Sequence, residues 1–269
     1  MIDIHCHILP GLDDGAKTIN ESLEIAGKLV EIGYTTVIAT PHVLEGREFV
    51  TAGQIRKSVI HLNEVLEEQS IPLKVLPGAE IFIFPDLAEW FSKGRLLSLA
   101  ETNKYILIEL PMLSVPHYTE QVFFNLQVLG LTPIVAHPER NREIQNTSNL
   151  LAEWSKKGVR VQANIGSFQG KYGLKVKKFA EELFANGIID FLGSDFHESH
   201  TGLNLRSTTQ YLGEFGARLT AAITENPTSI LEGQSLMPKQ IYNRYHLNKE
   251  RKLKNIVRGL WNRGVSEQC

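Results

Sequence analysis

Cysteine is scarce in this chain: its 269 residues include two, Cys6 and Cys269, near opposite ends. Disulfides therefore play no part in the fold, and in a reducing compartment both residues stay thiols. Cysteine-dependent tyrosine phosphatase chemistry is also excluded, because the thiolate needs an arginine six positions on, where Cys6 has Leu12 and Cys269 ends the chain. Apolar runs such as Ile106–Ile108 and Ile188–Ile189 fall far short of the roughly 20 residues of a membrane helix. From Met1 the chain passes straight into a strand pattern, without the basic and apolar regions of a signal peptide, so a cytoplasmic location is expected. Neither sign of charge dominates: 28 Lys and Arg oppose 30 Asp and Glu, a net −2 that gives no global attraction to nucleic acid. No Walker loop, dinucleotide fingerprint, internal repeat, low-complexity tract or Pro/Gly/Ser-rich linker occurs, and Gly166-Ser167-Phe168-Gln169-Gly170 is not a nucleophile elbow.

What is present is an ordinary globular composition, 42% hydrophobic and 22% charged, long enough for one large core. Seven short runs rich in β-branched residues read as strands: Ile2–Ile4, Thr35–Ala39, Lys74–Ile81, Tyr105–Glu109, Thr132–Ala136, Val159–Asn164 and Ile188–Leu192. Between them lie helical patterns at Ile19–Ile32, Gln54–Glu68, Tyr118–Leu129, Asn149–Lys157 and Leu174–Ala185. Alternating strands and helices need crossover connections, which give a parallel sheet covered on its outer faces. Seven such units suggest a closed or nearly closed barrel, although an open doubly wound sheet produces the same alternation. Residues 1–247 are expected to form this barrel and 248–269 a C-terminal helix and tail. In the tail, Leu253, Ile256, Val257, Leu260 and Trp261 make an apolar stripe against Lys249, Arg251, Lys252, Lys254, Arg258 and Arg263. The expected role of the stripe is packing on the barrel flank, with docking to a membrane surface or acidic partner as the alternative.

The placement of polar residues favours the barrel. Alternation along the first strand puts His5 and His7 on one side and Cys6 on the other. His42 follows the second strand, Glu80 and Glu109 end the third and fourth, His137 follows the fifth, and Asp195 and His197 follow the seventh. Six of seven strands thus carry an imidazole or carboxylate at the C-terminal end, where barrel active sites are built. Such groups are costly to bury unless they bind metal or pair with one another. A mixed His, Asp and Glu set suits Zn, Mn or Fe, and eight or nine ligands imply two or three ions sharing a carboxylate. Either Asp13 or Asp14, in Leu12-Asp13-Asp14-Gly15, could complete the cluster, or both could serve a turn ahead of a helix.

His5-x-His7, Thr40-Pro41-His42, Glu80, Glu109, His137-Pro138-Glu139-Arg140 and Asp195-x-His197 together resemble the PHP (polymerase and histidinol phosphatase) pattern over most of the chain. The chain length, the Asp13-Asp14-Gly15 turn and the His-Pro-Glu-Arg run are similar to bacterial manganese-dependent tyrosine-protein phosphatases of capsule and exopolysaccharide loci. The resemblance implies a distorted (β/α)7 TIM-like barrel with metal ligands His5, His7, Asp14, His42, Glu80, Glu109, His137, Asp195 and His197. It implies manganese first, with iron or zinc as alternatives, and a phosphotyrosine substrate on a membrane-associated tyrosine kinase controlling polysaccharide assembly. The chain departs from the pattern at Gly202, where the family carries an arginine five residues beyond the last histidine; Arg206 is the available substitute.

Hydrolysis of a phosphate monoester needs a nucleophile, neutralised phosphoryl oxygens and a stabilised leaving group, which a multinuclear site supplies. His42, Asp195 and Arg140 are the expected catalytic residues, with Arg140 as a planar phosphate clamp or, in the plainer alternative, a partner of Glu139 or Glu143. Arg47, in the long Val43–Gly53 segment, and Arg206 are expected substrate contacts, and Asn164 and Ser167 are candidates to hydrogen-bond substrate. His61, His200 and His246 are read as bystanders. A small-molecule phosphatase such as histidinol phosphatase is the second reading. An exonuclease ranks third, because the tail is the one basic concentration. An amidohydrolase, or a barrel that the metals only stiffen, completes the rivals. Oligomeric state is left open, a homo-oligomer included.

Overall fold

The computed structural model describes residues 1–46, 50–147, 149–198 and 216–237. Arg47, His200, Arg206, His246 and the amphipathic stripe of 248–264 lie outside the described residues.

Among the described residues nine short strands, all paired in parallel, form the barrel: β1 Ile2–Cys6, β2 Thr36–Ala39, β3 His42–Val43, β4 Lys74–Pro77, β5 Glu80–Phe82, β6 Tyr105–Glu109, β7 Thr132–Ala136, β8 Arg160–Asn164 and β9 Phe191–Gly193. They pair as β1-β2-β4 and as β3-β5-β6-β7-β8-β9. A parallel bridge between Cys6 and Phe196 joins the two sheets, with Asp195 N–H donating to His5 O and His7 N–H to Phe196 O. The architecture is the expected distorted (β/α)7 barrel, and its distortion lies in two broken strands.

The strand expected at Thr35–Ala39 is β2, but His42, expected to follow it, opens a further short strand, and the run expected as one strand at Lys74–Ile81 splits in two. Pro41 and Pro77 have no N–H to offer a ladder. Gly78 lets the chain pass close to β2, because a Cβ there would lie 2.7 Å from Ile38 Cγ2 and 3.2 Å from Ala39 O. The last strand also begins later than Ile188, since Ile188 N–H bonds back to Leu183 O and closes the preceding helix.

Helices α1 Ile19–Ile32, α2 Ala52–Glu68, α3 Leu87–Ser92, α4 Thr119–Val128, α5 Arg142–Asn146, α6 Asn149–Lys156, α7 Ile165–Phe168 and α8 Leu174–Ala185 connect the strands. Local chemistry sets the ends of α1: Thr18 accepts Glu21 N–H at the start, and Gly33 takes a left-handed φ of 104° at the end. Ile25, Leu29, Leu62, Leu66, Val122, Leu126 and Leu183 bury the helices against Val37, Val75, Ile106, Ile108, Val135 and Val161 of the strands. A second, smaller core of Ile4, Ile38, Tyr105, Leu107, Ile134 and Phe191 is joined by Leu99 and Ile230. The barrel is thus filled by packed apolar side chains, and the polar cluster forms a layer beyond them.

Candidate metal centre

A register slip in β1 sets the histidines. Asp3 pairs with Val37 and Cys6 with Ala39, so three steps on β1 face two on β2. A bulge of this kind re-aims side chains. His5 and His7 both turn into the cluster, while Cys6 is buried in the outer core, as alternation predicted.

The two central imidazoles are fixed from behind. His5 Nδ1 is 2.9 Å from Gln162 Oε1, and His7 Nδ1 is 2.6 Å from Asp13 Oδ2, so both rings hold a proton at Nδ1 and present Nε2 forward. The two Nε2 atoms are 3.2 Å apart. Glu80 Oε2 stands 3.0 and 3.3 Å from them, and Asp195 Oδ1 3.5 and 3.4 Å. Four lone-pair atoms converging in a buried site repel one another unless a cation lies among them.

The rest of the cluster surrounds this core. His42 Nδ1 is 3.2 Å from Glu80 Oε2 and 3.5 Å from Glu109 Oε2. His137 Nε2 is 2.8 Å from Glu80 Oε1. Asp14 Oδ1 lies 3.5 Å from His42 Nε2 and 3.3 Å from His197 Nε2. Among the described residues three overlapping groups could hold ions: His7, Asp14, His42 and His197; His5, His7 and Glu80; His42, Glu80 and Glu109. Glu80 belongs to two of them, with its two oxygens facing different imidazoles, as a bridging carboxylate would. Asp13 is engaged elsewhere: Oδ2 also accepts His42 N–H, and Oδ1 accepts Gly15 N–H. Asp14, not Asp13, faces the ligand groups.

Electrostatics point the same way. Burial opposes charge on His5, but Glu80 and Asp195 outweigh it and lift the imidazole to about 9. Burial opposes charge on His7 too, and Asp13, Asp195 and Glu80 hold it well above its usual value. Despite burial, the same histidines keep Glu80 and Asp195 well below the carboxylate range, and His7 brings Asp13 down to about 2. The carboxylates demand positive charge here, and protons or a divalent ion can supply it. Two members sit on left-handed backbone, His137 at φ 30° and Asp195 at φ 52°. Such strain costs of order 1–3 kcal/mol per residue and clusters at functional sites.

The capsular polysaccharide synthesis family CpsB/CapC matches residues 1–232. The chain belongs to that family. Tyrosine-protein phosphatase YwqE of Bacillus subtilis is 42% identical over 238 residues, 88% of this chain and 93% of that protein. A solved chain from crystal structures of YwqE from Bacillus subtilis and CpsB from Streptococcus pneumoniae, described as metal-dependent tyrosine phosphatases, superposes with TM-score 0.84 at 40% identity. That match covers 91% of this chain and 100% of the other. The zinc-bound histidinol phosphate phosphatase of Lactococcus lactis superposes with TM-score 0.50 at 12% identity, over 81% of this chain and 93% of the other, and is a likeness of PHP-type fold alone.

In this CpsB/CapC chain Arg140 does not pair with Glu139 or Glu143. Its guanidinium is 3.0 Å from Asp195 Oδ2 and lies 4.3 Å over the Tyr172 ring. Glu139 instead accepts Asn164 N–H and the Ser167 hydroxyl, and Glu143 accepts Val115 N–H. Asn164 and Ser167, the candidates to hydrogen-bond substrate, are both fully buried, and the Asn164 amide donates to Asp195 Oδ2 at 2.5 Å. Tyr172 OH adds a third contact to that oxygen at 3.4 Å. Asp195 is thus held at Oδ2 and presents Oδ1 to the histidines. Sequence reasoning missed Gln162 and Tyr172. A polar residue inside an apolar strand was the available signal for Gln162; Tyr172, in a connecting segment, had none.

Proposed function

We propose that this protein is a metal-dependent protein-tyrosine phosphatase, with His5, His7, Asp14, His42, Glu80, Glu109, His137, Asp195 and His197 holding two or three divalent transition ions. The observation that carries the reading is the buried convergence of His5 Nε2, His7 Nε2, Glu80 Oε2 and Asp195 Oδ1, which accepts a cation and sits beside the partly exposed Arg140. Membership of a family with a 42% identical tyrosine phosphatase supports the substrate class. Manganese is the favoured ion, with iron or zinc as alternatives.

Bound ions supply an activated water and neutralise phosphoryl oxygens. The protein's own groups do the rest. Arg140, stacked on Tyr172, offers a planar cation to the phosphate. Asp195, pinned by Arg140 and Asn164, fixes where positive charge concentrates. His42, a fifth exposed, stands at the open edge of the cluster. A tyrosyl leaving group, with a pKa of about 10, needs less protonation on departure than an alkyl oxygen. The substrate fitting this reading is phosphotyrosine on a membrane-associated kinase, met from the cytoplasm; among the described residues no helix is long and apolar enough to cross a membrane. Residues 1–247 carry the activity in this account, with 248–269 an appended basic segment.

The test is hydrolysis of a phosphotyrosine peptide beside histidinol phosphate and a generic aryl phosphate, with protein stripped of metal and reloaded with Mn, Zn or Fe. Preference for the peptide, abolished in His42→Ala and Asp195→Ala, is expected. Preference for histidinol phosphate would retain the metal centre and refute the substrate.

A further inference from the structure

Alternation along β3 turns Val43 into the outer core, 2% exposed, and leaves His42 and Leu44 on the rim side. Leu44 is 54% exposed. Among the described residues it lines a cavity of about 680 Å³ together with Leu12, Val50, Asp13, Asp14, His42, Glu45 and Gly46. Leu12 and Val50 are partly buried against the core, so they are held in place rather than free on the surface.

A lone exposed leucine is ordinary on any protein. Here three apolar side chains, from the loop before α1 and the segment before α2, surround a space whose other wall carries Asp14 and His42. An apolar concavity with a few converging polar groups is the form of a small-ligand site. We propose that Leu12, Leu44 and Val50 seat the aromatic ring of the substrate. The inference rests on the phosphatase reading and names the residues that hold the substrate's ester substituent. With the phosphoryl group beside His42 and Asp14, the ester substituent is led into this cavity. A phenyl ring covers its apolar walls, whereas a short alkyl group leaves them wet and a charged imidazole side chain is desolvated against them without a partner.

The test uses the metal-loaded full chain and two non-hydrolysable probes, phenylphosphonate and methylphosphonate, with dissociation constants from calorimetry. Partial burial of a ring predicts phenylphosphonate binding about tenfold tighter than methylphosphonate. In Leu44→Gln that ratio should fall to about threefold, with the methylphosphonate constant unchanged, and in Leu44→Phe it should rise. The exposed position of Leu44 makes both variants safe for folding. A ratio near one in the unmodified protein, or a ratio unmoved in Leu44→Gln and Leu12→Gln alike, overturns the seat. Turnover is read in parallel on phenyl phosphate and ethyl phosphate. Absence of any turnover would refute the phosphatase reading, while the binding ratio would still decide the seat.

Discussion

Gln162 and Asp13 fix the Nδ1 protons of His5 and His7, and through them where the two Nε2 lone pairs point. Outer partners of this sort commonly carry 10–100-fold in metal affinity. Gln162→Leu, which keeps the volume and removes the acceptor from a fully buried imidazole, should therefore lose about that factor in Mn affinity while the chain still folds, as measured by competition with a chelator. Protons compete for the same place. In metal-free protein His5 titrates at about 9, above its unfolded value of 6.5, so its stabilising charge is fully present below 6.5 and lost as pH rises through 9. The metal-free thermal midpoint should fall across that window. Conversely, metal loading at pH 7 must displace the proton, so affinity should weaken as pH falls and calorimetry in buffers of different ionisation enthalpy should report proton release. A metal-free midpoint that rises from pH 6.5 to 9 would contradict this account of His5. The candidate ligands at the strand ends were legible in the sequence because ligation restricts residue type and strand ends restrict position, whereas the choice between Asp13 and Asp14 was not, since the two are adjacent in one turn and only the folded chain turns Asp13 to His7 and Asp14 to His42 and His197. Gln162 and Tyr172 were not, since an amide and a phenol occur anywhere and only the folded chain brings them behind His5 and Asp195.

At the scale of elements, the broken strands place Glu80. β4 stops at Pro77, Gly78 passes within contact of Ile38, and β5 restarts with Glu80 as its first residue, under the histidines. Gly78→Ala would set a Cβ 2.7 Å from Ile38 Cγ2 and 3.1 Å from Leu99 Cδ2. Overpacking of this kind costs about 1–3 kcal/mol. For a chain of this size the thermal midpoint should fall by about 2–4 °C per kcal/mol, with weaker Mn binding as Glu80 shifts. An unchanged midpoint and affinity would show that the break is incidental to the site. Strand propensity could not reveal this interruption, because Lys74–Ile81 reads as one β-rich run and the constraint on Gly78 comes from β2, some forty residues earlier. The helices were easier: Ile19–Ile32 and Leu174–Ala185 have the bounds their periodicity gave, since an amphipathic stripe is a local signal.

For the molecule as a whole, the barrel gathers the candidate ligands from six of its nine described strands or the loops that follow them onto one rim, so the site exists only when the ring is closed. The bridge at Cys6 and Phe196 performs that closure beside His5, His7, Asp195 and His197. Fold and site are therefore one cooperative unit, which is why a pattern of strand ends in the sequence announced both. This rim is expected to turn over phosphotyrosine only with metal bound. The most direct measurement titrates Mn into chelator-stripped protein while following hydrolysis of a phosphotyrosine peptide, with bound metal counted on the same samples. The account predicts no turnover without metal and a return that saturates at two or three ions per chain. Undiminished turnover in the stripped protein, or metal uptake without any return of activity, would contradict it.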